Sequence, residues 1–406
     1  MATKTTVGDY VSLVRGVTYK GNLVGKPGPA LLGLGSIQPG GGFRDGDYKT
    51  YGGECPPKLM LYPGDLFASL KGATKDGKMI GSVARVPPNV PSGRLTQDTV
   101  KLDFREPDRE ISNFIYWILR TTHYRAYCAG RAMGSAVVAL SRDDFLSYPV
   151  PSATPDRKQA VKLLEAIDEK IELTRQTNET LEALAQTIFK SWFVDATATK
   201  LPKGCRESTI GEEVRVIGGS TPSTTKPEFW EDGTHHWATP KDLAPLDSPV
   251  LLNTERKITE LGLEQIGSGL LPVGTVLLSS RAPIGYMAIA EVPVAVNQGF
   301  IAMICNGSLP NHFVRLWTKQ NMEAIKGRAN GTTFMEISKS NFRTLPVLVP
   351  PQTLLDEFQQ QIEPLHRRVV SNLEESQTLA ELRDALLPKL LSGELRVPAK
   401  LKEAVA

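Results

Sequence analysis

The chain has only four cysteines in 406 residues, Cys55, Cys128, Cys205 and Cys305, and no two stand at CxxC spacing. That scatter argues against a zinc site and against a disulfide framework, and leaves the thiols as small apolar residues for the interior. Long apolar runs are also missing. Nothing approaches the roughly 20 residues that a membrane-spanning helix requires, and MATKTTVGDY contains no apolar segment of a signal peptide, so a cytoplasmic protein is expected. The five histidines are not spaced from carboxylates or cysteines as metal ligands would be, and the adjacent His235 and His236 would point to opposite sides of an extended chain. No metal site and no catalytic residue is expected. GNLVGK at Gly21 has three residues between its glycines where a phosphate loop needs four, and Pro27 follows the lysine. Pro155, Asp156, Asp168, Glu169 and Lys170 resemble a nuclease signature in order only, because they fall on a heptad-patterned stretch that reads better as a charged solvent face. There is no NPPF-like methyltransferase tetrapeptide. A formal charge of +3 permits a polyanionic partner without requiring one.

What is present is a duplication. GRAMGSAVVALSRDDFLSYPVP at Gly130 recurs as GRANGTTFMEISKSNFRTLPVL at Gly327, 197 residues later. Ser141, Phe145 and Pro149 of the first copy face Ser338, Phe342 and Pro346 of the second. Weaker matches pair VGDYVSLVRG at Val7 with IGEEVRVIGG at Ile210, and GDLFASLKGA at Gly64 with GTVLLSSRAP at Gly274. The period is too long for a solenoid repeat, so each copy reads as a domain, and diverged copies imply similar surfaces of different specificity.

Each copy ends in a heptad stretch. Leu164, Ile167, Ile171, Thr174, Asn178, Leu181, Ala185, Ile188 and Trp192 alternate at spacings of three and four. Ile362, Leu365, Val369, Asn372, Ser376, Leu379, Arg383, Leu386 and Leu390 repeat the pattern 198 residues on. Such a period keeps one seam facing a partner helix. Both seams turn polar near the middle, at Thr174 with Asn178 and at Asn372 with Ser376. An antiparallel pairing sets those polar layers opposite each other and keeps the two globular copies at opposite ends. The second helix is expected from about Gln352 to Ser392, with Gly393 as its stop and a kink or break at Pro364. Aliphatic and β-branched runs such as KMIGSVARV, TVLLSS, YMAIAEVPVAV and FIAMI predict short strands, and shorter helices are expected at Ser112 to Arg120 and His312 to Lys326. The fold class is therefore α+β: two similar mixed α/β domains separated by two long helices that form an antiparallel coiled coil.

The order of these parts, with ALLPKLLSGEL near the end, GRANGTT at Gly327, WATPKDL at Trp237 and SSRAPIG at Ser279, resembles the specificity subunit of type I restriction-modification systems. The resemblance covers nearly the whole chain. It implies a non-catalytic reader of a split, asymmetric site in double-stranded DNA. Target-recognition domains would occupy residues 1–152 and 205–350, spacer helices 153–197 and 352–393, and a tail 394–406. It also implies that the helices dock two modification subunits, which carry S-adenosylmethionine, and that restriction subunits join that core; no cofactor is expected in this chain. Leu164, Ile171, Leu181, Ile188, Leu365, Leu379 and Leu386 are the candidate docking positions on the helices. The competing readings are a nuclease with an unrecognised metal site and a scaffold with no nucleic-acid role.

Candidate DNA contacts follow from residue chemistry. Arg131 and Arg328 sit in Gly-flanked loops, where backbone can approach a phosphate and a guanidinium can form a two-pronged contact, or can bond within its own domain. Asn330, Thr332 and Thr333 add hydrogen-bonding groups to the second loop, and Arg281 with its counterpart Lys71 has the same pair of readings. Asn297 and Gln298 could read adenine or cap a turn. Lys241 suits a phosphate, and Trp237 suits the core more than a stacking platform.

Overall fold

A computed structural model describes residues 5–46, 48–72, 78–132, 138–196, 204–331 and 335–404. It divides into two compact units, Met1–Lys170 with Thr378–Ala406, and Ile171–Gln377.

The first unit is built on a four-stranded antiparallel sheet with the spatial order Val11–Arg15, Thr99–Phe104, Leu66–Ser69, Val83–Arg85. Leu66 lies opposite both Leu102 and Arg85, which fixes the register. All four side chains of Leu66–Ser69 are buried, as expected for a central strand covered on both faces. Beside it a small sheet pairs Ala30–Leu32 in parallel with Gly93–Leu95, and Met60–Leu61 antiparallel with the same strand. One face of the main sheet is covered by the helix Arg109–Ile118, whose Asp108 cap accepts bonds from the amides of Glu110 and Ile111. Phe114, Ile115 and Trp117 of that helix enter the core.

The second unit repeats this plan. Arg215–Ile217, Phe300–Ile304, Val276–Ser279 and Met287–Ala290 follow in the same spatial order, with Val250–Leu251 added at the edge in parallel to Met287–Ala290. The small sheet again holds a parallel pair, His235–Ala238 with Val294–Val296. Equivalent glycines leave the first strand of each sheet. A Cβ on Gly16 would lie 1.8 Å from the Thr96 carbonyl oxygen, and one on Gly219 would lie 1.5 Å from that of Val296, so no side chain fits at either place. Ser141 and Ser338 each cap a short helix, accepting from the amides of Asp144 and Asn341, and Phe145 and Phe342 beneath those helices are fully buried. The duplication read from the sequence is thus a duplication of sheet topology, caps and core.

The long helices run Pro155–Phe189, continuing through a π-helical turn at Lys190–Asp195, and Gln352–Ser392. The second is one continuous helix through Pro364, contrary to the expected break. Pro364 is exposed, where the carbonyl left unpaired four residues back can be satisfied by solvent. The expected His312 to Lys326 helix is two helices, Asn311–Gln320 and Met322–Gly327, joined at Asn321.

Within each unit the helices pair antiparallel. In the first, Arg157 Nε donates to the Leu391 carbonyl at 2.8 Å, and further along Arg383 Nη1 reaches Asp168 Oδ1 at 2.6 Å. In the second, Asn372 Nδ2 donates to Asn178 Oδ1 at 2.7 Å, and Phe189 packs on Phe358 with ring centroids 6.0 Å apart. Asn178 and Asn372 are each 2 % exposed. A buried amide pair of this kind is satisfied in one register and loses its partner in a slipped one, which is the usual cost and use of polar residues at seam positions.

Partly buried ion pairs fasten globular and helical parts within each unit. In the first, Arg85 grips Glu165 through two bonds of 2.6 and 2.9 Å, and Trp117 Nε1 also donates to Glu165. Asp168 accepts from both Arg120 and Arg383. The sequence reading of Asp168 as solvent-facing charge is therefore corrected. Its oxygens are spent on two arginines of the fold, which the sequence could not bring together because they lie 48 and 215 residues away. In the second unit Arg315 grips Glu182 through bonds of 2.8 and 2.9 Å. Burial pushes the Glu182 carboxyl up, but the Arg315 charge and hydrogen bonds outweigh it and leave it below the usual carboxylate range.

Candidate nucleic-acid interface

In the second unit the candidate residues converge on one end of the main sheet, where Val276–Ser279 leaves it and Phe300–Ile304 enters. The amide of Ser280 donates to the Gly299 carbonyl at 2.8 Å, and that of Ile337 to the Ser280 carbonyl at 3.1 Å. These bonds tie the Arg281 loop to Asn297 and Gln298 on one side and to the loop after Gly327 on the other. Arg281 and Asn330 both form isolated bridges with Glu336. The amide of Asn297 donates to the Ala238 carbonyl at 3.0 Å, which brings Lys241, two residues further on from the cap Thr239, to the same end. Thr332 and Thr333 lie outside the described residues.

The first unit builds the equivalent loop pair, with Lys71 bridging Ala139 as Arg281 bridges Glu336. Arg131 ends the helix Thr122–Arg131, its guanidinium 4.1 Å above the Tyr127 ring and 3.3 Å from Asp144.

These side chains differ in how far the fold already uses them. Lys71 Nζ is 2.5 Å from Asp98, and Arg281 Nη1 is 3.4 Å from Glu336. Arg328 donates to Thr344 Oγ1 at 2.8 Å, Asn297 Oδ1 accepts from the Gly299 amide, and Gln298 Oε1 accepts from Thr221 Oγ1 at 2.7 Å. Asn297 thus holds a turn. Lys241 and Asn330 are exposed. Each cation that is paired is paired at the surface, where an ion pair is worth little and exchanges readily for a phosphate. Trp237 belongs to the interior, 3 % exposed, with its indole N–H on the Ser220 carbonyl. The sequence reading missed Arg256, which stacks 3.5 Å from the centre of the Trp230 ring, because an isolated arginine in ERKIT carries no pattern.

The helix positions named as partner-docking sites face inward. Leu164 is fully buried, Ile188, Leu365 and Leu386 pack against the cores of their units, and Ile171, Leu181 and Leu379 are half-buried. The exposed leucines of the helices are Leu173, Leu184 and Leu382. Among the described residues no group of three or more His, Cys, Asp and Glu side chains could hold a metal ion, and no helix is long and apolar enough to cross a membrane.

Two copies of one α+β module, each followed by a long helix and each carrying a cationic side chain, Lys71 or Arg281, in the bridged loop at one end of its sheet, make up the chain. Residues 202–382 match the family model described as type I restriction modification DNA specificity domain. The chain is 26 % identical over 310 residues to the MjaIX type I restriction enzyme specificity subunit of Methanocaldococcus jannaschii, covering 71 % of this chain and 70 % of that one. It is 23 % identical over 315 residues to the HindI specificity subunit of Haemophilus influenzae, covering 59 % and 68 %. The crystal structure of the type I S subunit from M. genitalium shares the fold, with a TM-score of 0.55 over 96 % of this chain and 95 % of that one, at 17 % identity. The chain is thus similar to type I restriction-modification specificity subunits in sequence and in fold.

Proposed function

We propose that this chain reads a two-part DNA site and positions the other subunits of a type I restriction-modification complex on it, without catalytic chemistry of its own. The observation that carries the reading is the repeated sheet topology with unlike residues at equivalent loop positions, Lys71 against Arg281. Two copies of one scaffold grip the same backbone, while different side chains read different bases. The recognition domains are taken as 1–152 and 205–350, with spacer helices 153–197 and 352–393 and a tail 394–406. Double-stranded DNA, two modification subunits and restriction subunits are the partners. S-adenosylmethionine would be held by the modification subunits, and the cytoplasm, where the DNA lies, is the working compartment.

Each module can insert only a few side chains into a groove, enough for roughly three to five base pairs. Binding of the full chain to duplex DNA should survive heparin competition, and footprinting should show two short protected patches flanking a gap. Metal-dependent cleavage of DNA by the isolated chain would favour a nuclease instead, and failure to retain any duplex would favour a scaffold.

A further inference from the structure

We infer that Arg256 is a base-reading arginine of the second module, displayed beside the Ser220–Lys226 loop; this rests on the DNA-reading function proposed above. Three observations converge on it. First, the guanidinium is displayed flat. Arg256 lies directly across the strand pair from Trp237, and its Cζ sits 3.5 Å from the Trp230 ring centre and 5.6 Å from that of Trp237. The two indoles meet edge to face at 4.9 Å and 84°, so the platform under the arginine is itself fixed. Second, that guanidinium has no hydrogen-bond or ion-pair partner among the described residues, although Arg256 is exposed. Arg131, Arg281 and Arg328 each have one. An arginine whose plane is held by stacking keeps its fork of N–H donors open at the edge, with less rotamer freedom to lose on binding.

Third, the same indoles hold the neighbouring loop. Trp230 Nε1 donates to the Ser223 carbonyl at 3.0 Å and Trp237 Nε1 to the Ser220 carbonyl at 3.1 Å. Thr221, Ser223, Thr224 and Thr225 are exposed on it, and the Thr221 hydroxyl bonds to Gln298. Arg256 and the loop are therefore continuous with the Asn297 and Gln298 end of the sheet. The first module also stacks an arginine in its small sheet, on the strand that corresponds to Val294–Val296 and not to that of Arg256. Arg94 also lies over an aromatic ring, 4.9 Å from that of Tyr51, but it is buried and donates to the carbonyls of Glu54 and Thr18. The stacked arginine of that small sheet is thus spent inside and stands at a different position, so the open fork of Arg256 is a feature of the second module and suits specificity more than a backbone grip common to both halves. A forked donor at a groove edge matches guanine O6 and N7.

The test uses the full chain, as wild type, R256K and R256A, selecting from a randomised duplex pool. R256K keeps the charge and loses the fork. Both variants are expected to relax preference for guanine at one position of one word by roughly 5- to 150-fold, with the other word unchanged. If R256A weakens all sequences alike and R256K restores binding, Arg256 holds phosphate and the inference is wrong. An unchanged motif in both variants overturns it too. A wild-type chain that selects no two-part motif sinks the underlying function, and this inference with it.

Discussion

Exchanging residues 205–350 for the equivalent module of a relative should replace one word of the recognised DNA site and leave the other intact. The expectation rests on how each module is closed on itself. The second unit carries its own five-stranded sheet, its own cap at Ser338 and its own buried core from Ile210 to Ile362. Among the described residues, the hydrogen bonds given for its candidate contact loops stay within the unit. The incoming module must, however, supply partners for the helix residues Glu182, Glu363 and His366, which here meet Arg315, His312 and Glu291. A relative lacking those partners would leave partly buried polar groups unpaired, so the exchange should be made with them retained. Motif determination on the assembled enzyme reads the result. Simultaneous change of both words would show that the modules do not read independently.

The second large effect concerns acid. His312 is 1 % exposed, and its ring lies 4.5 Å from that of His366, with Glu363, Glu291, Arg315 and Arg367 the charged groups around the pair. Burial, and then the neighbouring His366, push the His312 pKa down from 6.5 to about 4. The folded state therefore keeps this imidazole neutral while the unfolded chain protonates it near pH 6.5. Stability is fully present above that value and falls as pH drops towards about 4, by about 3 kcal/mol in all if the group acts alone. Glu363, held below its usual range despite burial by its bonds to His312 and Arg367, adds a loss of the same sign at the acid end of that window. Urea unfolding of wild type and His312→Asn between pH 7 and pH 4 should show a steeper decline in the wild type, by about one proton's worth of slope. Equal slopes would mean that His312 does not carry the acid sensitivity.

Much of this architecture was legible in the chain because the same physics was written into it twice. Period-3.5 seams, turn serines and buried phenylalanines are local signals, and their recurrence 197 or 198 residues later turned weak matches into an expectation of two like modules. The antiparallel helix pairing came from the placement of Asn178 and Asn372, and the 2.7 Å amide bond between them gives that reading its physical form within the second unit. Other features were hidden for a definite reason. Asp168 looked like solvent-facing charge, since nothing local marks a carboxylate whose arginines arrive from far along the chain. The inward leucines looked available for partners because periodicity gives a face without saying what covers it. Pro364 looked like a break because the sequence does not show that its unpaired carbonyl lies on an exposed face. At the sheet ends, composition located the loops but not which cations the fold already engages, so Arg328 was named and Arg256 was missed.

The central claim is that two unlike modules read two unlike words held at a fixed separation. It is tested most directly by mapping methylated adenines in DNA from cells that carry this chain with its modification subunits. The account predicts a single non-palindromic motif of two words of roughly three to five base pairs each, flanking a spacer of constant length and free sequence. A continuous or palindromic methylated motif would contradict it.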